Sequence, residues 1–162
     1  MKKIGIVMGS DSDLPVIEKA VKILRELNIP LEAHVFSAHR TPEKAREFAL
    51  HARENGFGVI IAAAGMAAHL AGAIAANTTL PVIGIPCKGP ALDGLDALLS
   101  TVQMPSGISL ATVGVNNGAN AALLAAEILA VEDTELAALL QQKRQRDSDA
   151  VLEKDAGIAE RI

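Results

Sequence analysis

Two adjacent residues, His39 and Arg40, have side chains suited to acting on a phosphorylated small molecule. A guanidinium stays charged near neutral pH and can donate two parallel hydrogen bonds to phosphate oxygens. An imidazole gains and loses a proton near the same pH, as a general acid or base must. A loop His-Arg pair that forms only salt bridges is the commoner interpretation of such a dipeptide, so the pair does not establish chemistry alone.

A second polar group, Gly9-Ser10-Asp11-Ser12-Asp13, directly follows the apolar run Ile4–Met8. Small residues allow close approach to the backbone, and a helix that begins here offers unpaired N–H groups to an anion. The hydroxyls of Ser10 and Ser12 can donate hydrogen bonds, and the Asp13 carboxylate can accept from sugar hydroxyls. An ordinary N-capping turn between a strand and a helix has the same composition, so both interpretations stay open.

The remaining histidines and one lysine are weaker candidates. His69 lies among small apolar residues and suits either a pocket wall or a partly buried structural position. His34 falls within a predicted strand and His51 on a polar helix face, so we interpret both as structural. Lys88 can meet an anion, although a solvated loop lysine is the simpler interpretation.

Several motifs of known chemistry are missing from the sequence. There is no GxxxxGK[ST] phosphate loop, and no GxGxxG opens the first predicted helix. The four histidines lack metal-ligand spacing, so no metal site is predicted. The residues alone therefore indicate a crevice that binds a phosphorylated small molecule and transfers a proton.

The elements that must position these residues alternate between apolar strands and amphipathic helices, a pattern typical of α/β proteins. Residues 1–162 are predicted to form one domain, a three-layer, flavodoxin-like, doubly wound parallel sheet of order 2-1-3-4-5 with a C-terminal helix. Strands are predicted at residues 3–8, 31–36, 59–64, 81–85 and 109–115. Helices are predicted at 13–28, 42–56, 70–77, 95–102 and 120–131, and from 134 onward.

This strand order predicts one shared crevice. Strands one and three are neighbours at the switch point, so the loops that carry Ser10 and His69 face each other, and the loop of His39 flanks them. Asp13 and Thr41 are the expected N-caps of the first two helices. The helix 120–131 is apolar nearly all round, which predicts burial on every side and a subunit contact.

Composition limits the classes of partner. Half of the residues are hydrophobic and the mean hydropathy is +0.30, which suggests that other subunits cover some apolar surface. The net charge of −4 argues against nucleic acid. The single cysteine, Cys87, fits a reducing cytoplasm, and the first apolar run is too short for a signal peptide or a membrane span.

Five stretches, taken together and in order, resemble the 5-(carboxyamino)imidazole ribonucleotide mutases of purine biosynthesis. They are MGSDSD, SAHRTP, AGMAAHL, GLDALLSTVQMP and NAALLAAEIL. The resemblance implies an enzyme that moves a carboxylate from the exocyclic nitrogen to carbon 4 of an aminoimidazole ribonucleotide. It also implies a homo-octamer that needs no metal ion and no organic cofactor.

The resemblance assigns residues to the phosphate and sugar of this small-molecule substrate. Ser10, Ser12 and Asp13 would bind the ribose phosphate and the sugar hydroxyls, and Arg40 would clamp the phosphate.

Other positions are assigned to the base and the carboxylate. Ser37 and His39 would stand at the imidazole base, with His39 as the proton shuttle. Gly65, Ala67 and His69 would line the pocket near the carboxylate, where small apolar side chains suit the transient carbon dioxide.

Two positions depart from the family pattern GGAAHLPG. Met66 stands where the family has its second glycine, so either no positive φ is needed there or the loop shifts. Ala71 stands where the family has proline, which should loosen the start of the third helix slightly.

Two alternatives remain. One is a sister class of carboxylases that add carbon dioxide or bicarbonate directly to aminoimidazole ribonucleotide. These carry Lys after SAH and a loop with Ser or Asn in place of AAHL, so Arg40 and His69 favour the mutase. The other is a flavodoxin-like nucleotide-binding module without catalysis, against which the 2% aromatic content argues because flavins stack on aromatic rings.

Overall fold

A central parallel sheet carries helices on both of its faces. The computed structural model describes residues 1–158, within which five strands occur in the predicted order β2-β1-β3-β4-β5. Positions 159–162 of the predicted domain lie outside the described residues. The strands are β1 Lys3–Met8, β2 Leu31–Val35, β3 Phe57–Gly65, β4 Val82–Cys87 and β5 Ala111–Thr112.

The helices between the strands also follow the predicted order, and the three-layer architecture is confirmed. They are α1 Leu14–Glu26, α2 Pro42–His51, α3 Leu70–Ala75, α4 Leu95–Val102, α5 Gly118–Ala130 and α6 Thr134–Ala156. A short 3-10 turn, Asp11–Asp13, precedes α1. Within residues 1–158, no helix is both long and apolar enough to cross a membrane.

Two hydrophobic cores lie on opposite faces of the sheet because successive strand residues point to opposite sides. In β3, Val59 and Ile61 pack with α1 and α5, whereas Ile60 and Ala62 pack with α2 and α3. Both faces of the central strands are therefore buried, which explains their continuous apolar sequence.

Small residues bring α5 unusually close to α1. A Cβ atom on Gly118 would collide with the carbonyl oxygen of Val16, so only glycine fits at this crossing. The buried face of α5 continues with Ala121, Ala122, Ala125 and Ala126. Residues this small let the two helix backbones approach and still fill the space between them.

Some predicted boundaries are wrong, and one burial prediction depends on contacts outside the single chain. The strand β4 runs through Cys87, and β5 has two residues, since only Ala111 and Thr112 pair with β4. In the single chain, the sheet and the neighbouring helices cover only part of α5, so its burial on every side stays a prediction that depends on a subunit contact. Val131, directly after it, is 84% exposed in the single chain.

Candidate active site

A cleft of about 530 Å³ opens at the carboxyl edge of the sheet, where β1 and β3 lie side by side. Its walls are the loops that follow β1, β2, β3 and β4, as the topology of a doubly wound sheet requires. The nine residues that the sequence singled out all line it. They are Ser10, Ser12, Asp13, Ser37, His39, Arg40, Gly65, Ala67 and His69.

The loop after β1 is stabilised by a serine side chain. Ser10 has an extended backbone, and its Oγ accepts a hydrogen bond from the N–H of Ser12 at 3.3 Å. Asp13 occupies the N-cap position of α1, yet its side chain makes no capping hydrogen bond. The predicted capping role of Asp13 is therefore filled one turn earlier, by Ser10 at the 3-10 turn.

The Asp13 side chain is buried and lies next to Cys87. Loss of water around the carboxylate raises its pKa, although the neighbouring Cys87 thiol and Ser10 backbone oppose this shift. Burial, together with the nearby Asp13 charge, raises the pKa of the Cys87 thiol to about 12. The thiol is consequently a neutral hydrogen-bond donor at physiological pH, and it is not a nucleophile.

The loop after β2 closes on itself through a threonine. The Oγ1 of Thr41 accepts from the Ser37 N–H at 2.9 Å and donates to the Ser37 carbonyl at 3.1 Å, so Thr41 does not cap α2 as predicted. The Ser37 Oγ accepts from the backbone N–H of Arg40 at 3.2 Å. These bonds fix the backbone that carries His39 and Arg40.

The guanidinium of Arg40 connects two walls of the cleft. Its Nη2 donates to the Gly9 carbonyl, at the end of β1, at 3.1 Å. Within the described part of the chain, this is the one hydrogen bond that the guanidinium makes, and four of its five N–H donors stay unused. The bond orients the guanidinium and leaves donors for an anion in the cleft.

The loop at the end of β3 contains a methionine, Met66, whose backbone is in the left-handed conformation. Met66 has φ of +56°, so the positive φ is present without glycine, and the expectation that Met66 would avoid it is wrong. Gly65 packs closely on β4, since a Cβ atom there would lie 3.3 Å from the Cys87 carbonyl oxygen. Ala71 is buried in the first turn of α3, which forms without proline.

The two loop histidines approach each other across the cleft, with 5.9 Å between ring centroids. Both rings are accessible from the cleft. His34 instead stacks on Phe36, and His51 pairs with Glu54 on the surface, so neither ring lines the cleft.

Sequence reasoning missed the fourth wall of the cleft. Lys88, Gly89 and Pro90 line it directly after β4, although the sequence favours a solvated loop position for Lys88 over contact with an anion. The signal available was positional, because Lys88 ends an apolar strand at the same edge as Ser10 and His39. Within residues 1–158, no group of three or more His, Cys, Asp or Glu side chains could hold a metal ion.

Comparison with known proteins gives a consistent result. Residues 3–150 match the AIR carboxylase family. The chain is 55% identical to the N5-carboxyaminoimidazole ribonucleotide mutase of Pyrococcus abyssi, over 90% of this chain and 83% of that one. It is 53% identical to the protein of the same name from Bacillus subtilis, over 93% and 94% of the two chains.

More distant matches agree with these. The phosphoribosylaminoimidazole carboxylase of Saccharomyces cerevisiae is 48% identical over 93% of this chain, which spans 26% of that longer protein. Among solved structures, that of Treponema denticola PurE superimposes with a TM-score of 0.81 at 30% identity. The match covers 94% of this chain and 96% of that one.

Proposed function

This chain belongs to the AIR carboxylase family, and we propose that it converts 5-(carboxyamino)imidazole ribonucleotide into 4-carboxy-5-aminoimidazole ribonucleotide in purine biosynthesis. Relatives that share half or more of its residues over most of their length carry the name of this mutase. The observation that carries the proposal is the cleft itself, where His39 and Arg40 on the loop after β2 meet His69 on the loop after β3. These residues supply an anion-binding group beside two imidazoles.

The phosphate and ribose occupy the end of the cleft formed by the loops after β1 and β2. The Arg40 guanidinium binds phosphate oxygens with the donors that Gly9 leaves unused. Ser10 and Ser12 donate hydroxyl hydrogen bonds, and the Asp13 carboxylate accepts from the ribose hydroxyls. The charge of Arg40 is permanent, so this end holds the substrate throughout the reaction.

His39 moves the proton at the imidazole end. Its protonated ring gives a proton to the carbamate nitrogen, the N–CO₂ bond breaks, and carbon dioxide leaves. Carbon 4 of the freed aminoimidazole then attacks the carbon dioxide, and the neutral His39 ring removes the proton from carbon 4. The proton that His39 gives in the first step is replaced by the proton that it takes from carbon 4, and no redox step occurs. The net reaction is therefore an isomerisation. Ser37, in the same loop, positions the base.

The loop with Gly65, Ala67 and His69 lines the space that holds carbon dioxide between the two half-reactions. The small side chains of Ala67 and the buried Ala68 leave room for a neutral, linear molecule and offer it no strong partner. His69 faces His39 from this loop and helps to orient the carboxylate. Retention of carbon dioxide at this point distinguishes a mutase from a carboxylase that draws it from solution.

Incubation with the carboxyamino substrate in buffer depleted of carbon dioxide and bicarbonate tests the proposal. We expect the carbon-carboxylated product to form, and labelled bicarbonate added to the buffer to enter it only in small part. A requirement for added bicarbonate would instead indicate the direct carboxylase. Binding of the ribonucleotide without turnover would indicate the non-catalytic module.

We propose further that residues 1–162 form one catalytic domain and that the chain assembles into a cytoplasmic homo-octamer. The size follows from the family resemblance, and the tendency to associate is supported by an exposed apolar stripe on and before α4. Its members, spaced three or four residues apart, are Leu92, Leu95, Leu99 and Val102. A neighbouring subunit would cover this stripe.

A further inference from the structure

The cleft has a basic side chain at each of its two ends, and the proposed function uses only one of them. Arg40 follows β2 and Lys88 follows β4, and both line the cleft. In the strand order β2-β1-β3-β4, three inter-strand steps of about 4.8 Å separate these ends. The proposed substrate has the same layout, with a phosphate at one end and a carboxylate at the other.

Lys88 lies beside the loop to which we assign the carboxylate. In the β3–β4 pairing Gly65 is opposite Cys87, so Lys88 is one residue beyond this pair. The two loops also touch, since a Cβ atom on Gly89 would lie 3.6 Å from Met66 Cγ. The ammonium group is therefore carried on the wall next to Gly65 and Ala67, away from the phosphate end.

The backbone of Lys88 is fixed, whereas its side chain is only loosely held. The backbone N–H donates to Asn116 Oδ1 at 2.8 Å. The Nζ pairs with Asp93, and the two side chains are 57% and 76% exposed. An ion pair this exposed contributes little to stability, so the ammonium can exchange Asp93 for another carboxylate at little cost.

We propose that Lys88 binds the carboxylate of the substrate and of the product, and that Asp93 holds the ammonium when the carboxylate is absent. This inference rests on the proposed function, because the carboxylate is the group that the reaction moves. Carbon dioxide is neutral and does not compete with Asp93, so Lys88 returns to Asp93 between the two half-reactions. The exchange favours the carboxylated ligands over the decarboxylated intermediate.

Binding of two ligands that differ only in the carboxylate tests this role. The ligands are 4-carboxy-5-aminoimidazole ribonucleotide and aminoimidazole ribonucleotide, measured by calorimetry with the full chain. In Lys88→Gln we expect the affinity for the carboxylated ligand to fall about tenfold, as for loss of a charge-assisted contact, and that for the other ligand by less than twofold. Lys88→Arg should keep most of the parent's preference for the carboxylated ligand over the other. Lys22→Gln, an exposed lysine on α1, is the matched control.

A second variant separates charge from loop structure. Asp93→Asn removes the competing carboxylate and should leave the affinity for the carboxylated ligand unchanged or raise it a few-fold. Equal losses for both ligands in Lys88→Gln, no loss for either, or a loss in Asp93→Asn as large as in Lys88→Gln would each overturn the assignment. Turnover of the parent protein is measured in parallel. If the parent converts the substrate, such a result rejects Lys88 alone, whereas a parent that binds neither ligand rejects the proposed function as well.

Discussion

The imidazole ring of His39 lies parallel to that of His69 to within 14°, at a centroid distance of 5.9 Å. The two residues come from the loops after β2 and β3, which β1 separates in the sheet. Their proximity therefore depends on the strand order and not on closeness in sequence. A substrate base beside one ring lies within reach of the other. Experiment must therefore separate the residue that transfers the proton from the residue that orients the carboxylate.

His39→Asn should retain the fold and most of the affinity for the product ribonucleotide while turnover falls. An amide of similar size cannot take and return a proton, and loss of a general acid or base costs about 10²–10⁴ in rate. His69→Asn should affect the proton step less and raise KM more, because we place it at the carboxylate. Turnover and product binding are measured for both variants. If His39→Asn stays within about tenfold of the parent, His69 becomes the candidate shuttle.

Arg40→Lys should weaken ribonucleotide binding by about 1–3 kcal/mol, because a forked, charge-assisted phosphate contact becomes a single point charge. Folding should change little, since Arg40 is exposed and the lost internal contact is one hydrogen bond to Gly9. The measurement compares the nucleotide with its nucleoside in both proteins. Equal affinity losses on removal of the phosphate would show that Arg40 does not bind it.

In buffers above neutral pH, Asp13→Asn should raise the melting temperature. The same substitution should weaken substrate binding, because the ribose hydroxyls lose a charged acceptor. The folded state raises the pKa of Asp13 above its usual 3.8, mainly by burial, so the folded protein binds this proton more tightly than the unfolded chain does. Stability therefore falls as pH rises from 3.8 through the raised pKa, and stays reduced above it. The difference in melting temperature between Asp13→Asn and the parent should shrink as pH falls toward 3.8. Asp11→Asn, exposed in the same turn, is the control and should show no such pH-dependent advantage.

Met66→Gly should stabilise the protein by about 0.5–1 kcal/mol. A left-handed residue with a Cβ atom costs about 1–2 kcal/mol, and the greater chain entropy of unfolded glycine offsets part of the gain. Little packing is lost, because Met66 is 61% exposed. Urea unfolding of Met66→Gly and Met66→Ala separates the two effects, since alanine keeps the unfavourable φ. A gain in Met66→Ala as large as in Met66→Gly would contradict the backbone explanation.

Leu99→Glu should dissociate the assembly, because it places a charge in the middle of the apolar stripe on α4. Light scattering at equal protomer concentrations should report a smaller particle than the parent. Leu50→Glu changes a leucine of similar exposure on α2 and should leave the mass unaltered. A parent that is already a monomer at micromolar concentration would contradict self-assembly itself.

The sequence predicted the strand order and the lining of the cleft because both follow from local patterns. An apolar run that ends in Gly9-Ser10 or in Ser37 marks a loop at the carboxyl edge, and the order of the sheet then brings such loops together. The burial of Asp13 beside Cys87 could not be predicted, because it depends on where β4 ends relative to β1. The left-handed backbone of Met66 is likewise imposed by tertiary packing against the intrinsic preference of methionine.

The alanine-lined contact between α1 and α5 determines which mutations this chain can withstand. Ala121 and Ala125 are buried, and each has only a methyl group as its side chain. Substitution by glycine therefore leaves no large cavity. Enlargement is costly in the same places, since added methylenes in a tight core typically cost about 1–3 kcal/mol, and Gly118 tolerates not even a methyl group. In a saturation mutagenesis survey, substitutions that enlarge a side chain should therefore be the most damaging in this alanine layer. Around Leu24 and Ile61, substitutions that shorten the side chain should be the most damaging.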